Sequence, residues 1–326
     1  MQILTTSPGA DGWDLFCEIP STLYSENVRP FISGIPEYGL SNSAVLLKNG
    51  RAVGRIALYD PGDAGHAFFG LFESEPDEST GAELFRFAEE AAKKLGKSTL
   101  IGPMNGSTWE NYRWARSLDT PFFFSEYVHQ PYYAAMAVTA GYLESAGYFS
   151  QIQNDLSYDG ELSDRLKARC IAAGIRIRNL DIEHFDEELE KLYPFITETF
   201  NQNLLYSPIS FDAFSSKYRT QLPFLSPDWV LVAEEGKEIV GITVNFPDLF
   251  EQPCKTMIAK TLARKPGRRY AGISHVLCAE LIDRCVNKGF SRLIHAYMET
   301  NNSSMNVSGR FNGEPFRHYS LFSKHL

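Results

Sequence analysis

Cysteine is scarce and scattered: Cys17, Cys170, Cys254, Cys278 and Cys285 form no Cys-x-x-Cys pair, and their number is odd. That pattern excludes a disulfide framework and fits reduced thiols in a cytoplasmic protein. The seven histidines are equally dispersed, with no His-Glu-x-x-His, so no metal is expected. No apolar run approaches the length needed to cross a bilayer, and the first residues lack a basic stretch followed by an apolar one, so neither a membrane association nor secretion is expected. Positive charge is in deficit, with 31 basic against 40 acidic residues and a net charge of -9. Such a surface repels polyphosphate backbones unless its cations cluster, so nucleic acid is not an expected partner. A Gly-x-Ser-x-Gly elbow and a Walker-type loop are missing as well.

What is present is a folded chain of 326 residues, 44% hydrophobic and 13% aromatic, long enough for two domains of ordinary size. Asn49-Gly50 between two apolar, β-branched runs predicts a hairpin. Residues 13–20 and 66–72 read as strands, 82–95 as an amphipathic helix stopped by Gly96, 98–104 as a strand and 133–147 as a helix. The second half repeats this grammar: a strand at 174–180, helices at 183–200 and 211–222, a hairpin around 234–237, then strand, loop, helix and strand from 256 to 298. Asp, Gly and Ser content makes 150–167 the connection, so the expected domains are 1–155 and 156–326, both α/β with a mixed α+β sheet.

The halves differ at one point. Residues 264–274, Arg-Lys-Pro-Gly-Arg-Arg-Tyr-Ala-Gly-Ile-Ser, join a strand to a helix through a tight, basic loop. Such a loop aims successive N–H groups and the positive end of a helix dipole at one spot, which suits a phosphate. The corresponding loop of the first half, residues 73–81, is Glu-Ser-Glu-Pro-Asp-Glu-Ser-Thr-Gly, whose carboxylates would repel one.

Arg269-Tyr270-Ala271-Gly272-Ile273-Ser274, with Pro266 ahead of it, resembles the acyl-CoA pyrophosphate loop of the GNAT (Gcn5-related N-acetyltransferase) superfamily, Gln/Arg-x-x-Gly-x-Gly/Ala; Ser274 departs from the last position. Further runs, among them Gly102-Pro-Met-Asn-Gly-Ser-Thr-Trp109 and Gln130-Pro-Tyr-Tyr133, look like tandem two-domain bacterial members of that superfamily with no established substrate. The resemblance implies two GNAT-like domains, the first degenerate and without a phosphate loop. It implies a coenzyme site made of Leu262, Ala263, Arg264, Arg268, Arg269, Tyr270, Ala271, Gly272, Ile273, Ser274 and Asn302, taking acetyl-CoA or another acyl-CoA as cosubstrate.

The implied activity is acyl transfer, other than aminoacyl, from coenzyme A to the amine of a small molecule. The alternatives are a non-catalytic coenzyme A-binding or regulatory protein, and an aminoacyl or long-chain acyl transferase of the tandem type. Acyl transfer needs a base for the amine and an acid for the thiolate. The tyrosine that GNAT enzymes commonly use as acid is missing after Asn302. Tyr297, Glu299 and Tyr319 are the candidates, with His275 read as part of a solvated helix face. Asn105, Ser107 and Trp109, together with Phe122, Phe123, Phe124, Tyr132 and Tyr133, are candidates for lining an acceptor site, the bland account being a capped turn and a domain core.

Overall fold

In the computed structural model, which describes residues 1–32, 34–62, 65–300 and 311–326, the chain forms two units. Unit 1 is Met1–Gly147 with His318–Leu326, and unit 2 is Tyr148–Arg317. Where the sequence reading places one junction between residues 155 and 156, the chain thus passes from one unit to the other after Gly147 and back again at His318. The elements of unit 1 are β1 Gln2–Thr6, α1 Trp13–Leu23, β2 Leu40–Lys48, β3 Arg51–Tyr59, β4 His66–Ser74, α2 Glu78–Lys94, β5 Thr99–Gly102, β6 Trp114–Ala115 and α3 Tyr133–Thr139. Then come β7 Leu143–Gln153, α4 Gly160–Ala172, β8 Ile175–Asn179, α5 Phe185–Phe200, α6 Phe211–Gln221, β9 Val230–Glu235, β10 Glu238–Pro247, β11 Thr256–Arg264, α7 Ile273–Asn287, β12 Arg292–Glu299 and β13 Glu314–His325.

Within unit 1 the strand order is β1-β2-β3-β4-β5 followed by the unit's part of β13. All neighbours are antiparallel except β4 and β5. Unit 2 runs β8-β9-β10-β11-β12 followed by its part of β7, with β11 and β12 the parallel pair. The two units therefore share one plan, in which a helix, α2 or α7, crosses between the parallel strands. The expected hairpin stands between β2 and β3, where Asn49 and Gly50 take φ of 53° and 78°, the mirror-image turn that matches strand twist.

Three stretches differ from the sequence expectation. Residues 13–20 lie in helix α1: the alternation of Trp13, Leu15, Cys17 and Ile19 reads as strand, but Phe16, Ile19 and Pro20 form the buried face. Packing of that helical face overrides the two-residue pattern. Residues 133–147 form only the short α3, because Gly141 at φ 88° ends it and Leu143 begins β7. Within the connection expected at 150–167, β7 runs on to Gln153 and α4 begins at Gly160, its first turn capped by Asp159 Oδ1 accepting from the Leu162 N–H at 2.9 Å.

The core of unit 1 is aromatic, with Phe69, Phe72, Phe85, Trp114, Tyr133 and Tyr142 all buried. Phe72 stacks on Phe85 with centroids 4.7 Å apart. Unit 2 buries the inner face of α7, including Ile273, Val276, Leu277, Leu281 and Cys285, on β9, β10 and β11. Gly241 lets that helix approach: a Cβ there would lie 2.6 Å from Ile273 Cγ2.

Candidate functional site

Beta strands 11 and 12 begin as regular parallel neighbours and then part. Their ladder runs from Thr256–Arg292 to Ala259–His295 and, among the described residues, goes no further. Each strand is irregular at that point. Against β10, Val244 pairs with Thr261 and Asn245 with Ala259, leaving Lys260 as a bulge. On β12, Tyr297 takes φ 55° and the register against β7 shifts between His295 and Met298.

Beyond the bulge β11 remains paired to β10 alone. The Lys265 N–H donates to Val240 O at 2.9 Å, which fixes the alternation of the strand. Ala263 therefore directs its amide to β10, whereas Leu262 and Arg264 direct N–H and C=O to the side that β12 has left. Lys260 Nζ stands 5.8 Å above the Tyr297 ring, facing it across the two strands.

The chain then enters the basic loop. The Arg264 guanidinium donates to Lys265 O at 2.7 Å, and Lys265 pairs with Glu238. Arg268, Arg269 and Tyr270 form a 3-10 turn, and the Ala271 N–H returns to Arg268 O at 3.3 Å. Gly272, at φ 97°, is the N-cap of α7 and supplies no side-chain cap to its first turn. A Cβ at this position would lie 2.9 Å from Leu166 Cδ2 and 3.2 Å from an Arg169 guanidinium nitrogen, so backbone approach here depends on glycine. The first amides of α7 thus lie at the end of the opening between β11 and β12, with the helix dipole behind them.

Within the loop, Arg269 forms an ion pair with Glu235, whose Oε2 also accepts from the Tyr270 hydroxyl at 3.3 Å. The Arg269 guanidinium holds the Glu235 carboxyl below the usual range. Ser274 is buried in the first turn of α7. His275, expected on a solvated face, is instead 3% exposed: its Nε2 lies 2.8 Å from Ser163 Oγ and its ring 4.7 Å from that of Phe311. The exposed-face reading failed because α4 covers this turn.

Tyr297 and Glu299 lie on β12 beyond the parting point. His295, at the parting point itself, was missed in the sequence; it is buried, and burial lowers its pKa to about 4, so it is neutral near pH 7. Tyr319 belongs to unit 1, where its hydroxyl donates to Glu126 Oε1 at 2.7 Å and its backbone pairs with Ala115. Asn302 lies outside the described residues.

Unit 1 shows the same construction closed by its own side chains. The β4–β5 ladder ends at Phe68–Ile101, and β4 bulges at Leu71, φ 47°. The Met104 N–H donates to Phe69 O at 2.8 Å, and the Leu71 N–H to Asn105 Oδ1 at 2.9 Å. Farther along, the Ser74 N–H donates to the Tyr133 hydroxyl at 3.1 Å, while the Tyr132 hydroxyl donates to Ser74 O at 2.8 Å. Asn105 and Tyr133 are thus spent inside unit 1. Ser107 Oγ accepts from the Trp109 N–H at 3.3 Å, a local turn, and Phe123 is buried.

Three of the four carboxylates in the acidic loop of unit 1, Glu73, Glu75 and Asp77, are paired within the unit. Glu73 is buried, accepting from the hydroxyls of Tyr24 and Tyr133 at 2.8 and 2.7 Å, with Arg55 at 3.8 Å. Burial raises its pKa, countered by Arg55 and the two hydroxyls. Glu75 pairs with Arg51, and Asp77 with Lys48. Asp77 also caps α2, accepting from the Ser79 N–H at 2.9 Å. The helix terminus of unit 1 is therefore occupied by a carboxylate, while that of unit 2 is headed by a bare glycine.

Among the described residues no His, Cys, Asp and Glu group is arranged to hold a metal, and no helix is long and apolar enough to cross a membrane. No family model matches the chain. Over 217 residues it is 25% identical to a bacterial ceramide synthase of Caulobacter vibrioides, covering 63% of this chain and 55% of that protein. Over 323 residues it is 24% identical to protein YghO of Escherichia coli, covering 86% and 81%.

Among solved structures, a tandem GNAT protein from the clavulanic acid biosynthesis pathway superposes with a TM-score of 0.57 at 14% identity, covering 99% of this chain and 98% of that one. A GCN5-related N-acetyltransferase from Sphaerobacter thermophilus gives 0.57 at 12% identity, covering 99% and 95%. The plan used twice in this chain is thus matched in overall fold by these solved proteins over nearly its whole length, and the protein has the GCN5-related N-acetyltransferase fold in its tandem form.

Proposed function

We propose that the chain is an acyl-CoA-dependent N-acyltransferase with a single coenzyme site, in unit 2. The observation that carries this reading is the opening between β11 and β12, which ends at the glycine-headed first turn of α7. The residues fit a coenzyme. Gly272, Ile273 and Ser274 would hold the diphosphate by backbone amides, in a turn that needs glycine at 272 because a side chain there would run into Leu166 and Arg169. Leu262 and Arg264 would pair with the pantetheine amides as a further strand would. When bound, the coenzyme supplies an activated acyl thioester. Because unit 1 has closed the equivalent opening with Asn105, Tyr132 and Tyr133 and capped its helix with Asp77, it is assigned a supporting role and no coenzyme.

Acyl transfer requires the acceptor amine to lose a proton and the departing thiolate to gain one. Tyr297 and Glu299, on β12 past the parting point, are the side chains proposed to handle these protons. The resemblance to a bacterial ceramide synthase supports an acceptor whose amine sits on a long-chain amino alcohol, and an acyl chain longer than acetyl. The test is mass spectrometry of amide products from acetyl-CoA and palmitoyl-CoA, each with a panel of amines that includes a long-chain amino alcohol. An amide that requires both substrates is the expected result. Saturable coenzyme A binding with no amide from any pair would leave a non-catalytic coenzyme-binding protein instead.

A further inference from the structure

We propose that Arg169 of α4, outside the loop motif, is the side chain that neutralises the coenzyme diphosphate, in the place that the motif assigns to Arg269. The inference rests on the coenzyme reading of the α7 terminus. Three observations carry it.

The first is position: an Arg169 guanidinium nitrogen lies 3.2 Å from where a Cβ on Gly272 would stand, beside the backbone that would cradle a phosphate. The second is delivery. Ser163, Leu166 and Arg169 recur at every third residue of α4 and so share one face. Ser163 Oγ bonds His275 Nε2 at 2.8 Å, and Leu166 abuts Gly272, so that face is anchored to the first turn of α7 at two points. Asp159 caps the helix and Cys170 is buried beneath it. Arg169 is presented from a fixed helix.

The third is charge. Arg269 is paired with Glu235, and the two together carry no net charge toward an anion. Arg169 forms no ion pair among the described residues, so its full charge is available. A planar guanidinium suits bidentate contact with phosphate oxygens.

Isothermal titration of the full chain with coenzyme A and with 3′-dephospho-coenzyme A tests this. Arg169→Ala is expected to weaken both ligands by about 10- to 100-fold, the loss of a charge-assisted hydrogen bond. Arg169→Lys should recover part of that loss, and Arg269→Ala should weaken binding less than Arg169→Ala. Circular dichroism melting checks that the exposed Arg169 position leaves the fold intact. Affinity unchanged within about twofold in Arg169→Ala, or a larger loss in Arg269→Ala, overturns the assignment while the coenzyme site stands. A loss confined to coenzyme A, and absent with the dephospho form, moves Arg169 to the 3′-phosphate and overturns the diphosphate role. If the unsubstituted protein binds neither ligand, the coenzyme reading itself falls.

Discussion

The Leu71 N–H donates to Asn105 Oδ1 at 2.9 Å, inside a protein interior where Asn105 has no measurable exposure. Leu71 is the left-handed bulge residue of β4, so its amide faces the gap that opens as β4 leaves β5. In unit 2 the equivalent gap, past the Ala259–His295 pair, is bordered by the outward amides of Leu262 and Arg264. Asn105, with Tyr132 and Tyr133 farther along β4, thus fills in unit 1 a gap for which the described residues of unit 2 show no such side-chain bonds.

Asn105→Ala should leave the Leu71 amide buried without its acceptor. The expected cost is about 1–3 kcal/mol, read as a lower urea midpoint at unchanged slope. Coenzyme A affinity should stay as it is, since that site is assigned to unit 2. A variant that loses coenzyme binding while remaining folded would contradict the single-site reading.

Gly272→Val places a Cβ 2.9 Å from Leu166 and requires φ 97° of a branched residue. Strain of this kind costs on the order of 1–3 kcal/mol, so the melting temperature should fall by several degrees. Coenzyme A titration should show no saturation. Retained binding at the affinity of the unsubstituted protein would remove the α7 terminus from the site.

Proton handling on β12 can be separated from packing by comparing three variants. Tyr297→Phe or Glu299→Gln should lower kcat by about 10²- to 10⁴-fold for whichever residue acts as acid or base, with coenzyme affinity little changed. Tyr319→Phe removes the bond to Glu126 and should reduce stability while kcat persists. Full turnover in both β12 variants would exclude them as proton carriers.

His295 makes stability fall in acid. Its folded pKa is about 4 against an ordinary 6.5, so between those values the unfolded chain binds the extra proton. The contribution is present above pH 6.5 and is lost as pH falls toward 4, reaching on the order of 3 kcal/mol. Urea midpoints at pH 7 and pH 5 should therefore diverge more for the natural protein than for His295→Gln. Equal pH dependence of the two would show that His295 does not carry the effect.

The chain's own sequence determined the local events, because they depend on residues close together along it. Asn49-Gly50 turns a hairpin whatever surrounds it, and Gly272 heads a helix after a basic loop because only glycine takes φ 97° there without strain. The strand-loop-helix order around residue 270, and hence the GNAT likeness, was legible for the same reason. Tertiary structure alone decided what depends on distant partners. Trp13 to Leu23 became a helix because Phe16 and Ile19 found a core, and His275 was buried because α4, more than a hundred residues earlier, lies over it. Arg269 carries the motif but is tied to Glu235, while Arg169 carries no motif and stands beside Gly272. Asn105 closes one gap and the parting of β11 from β12 leaves another, and both follow from hydrogen-bond pairing across strands, which spacing along a chain does not encode.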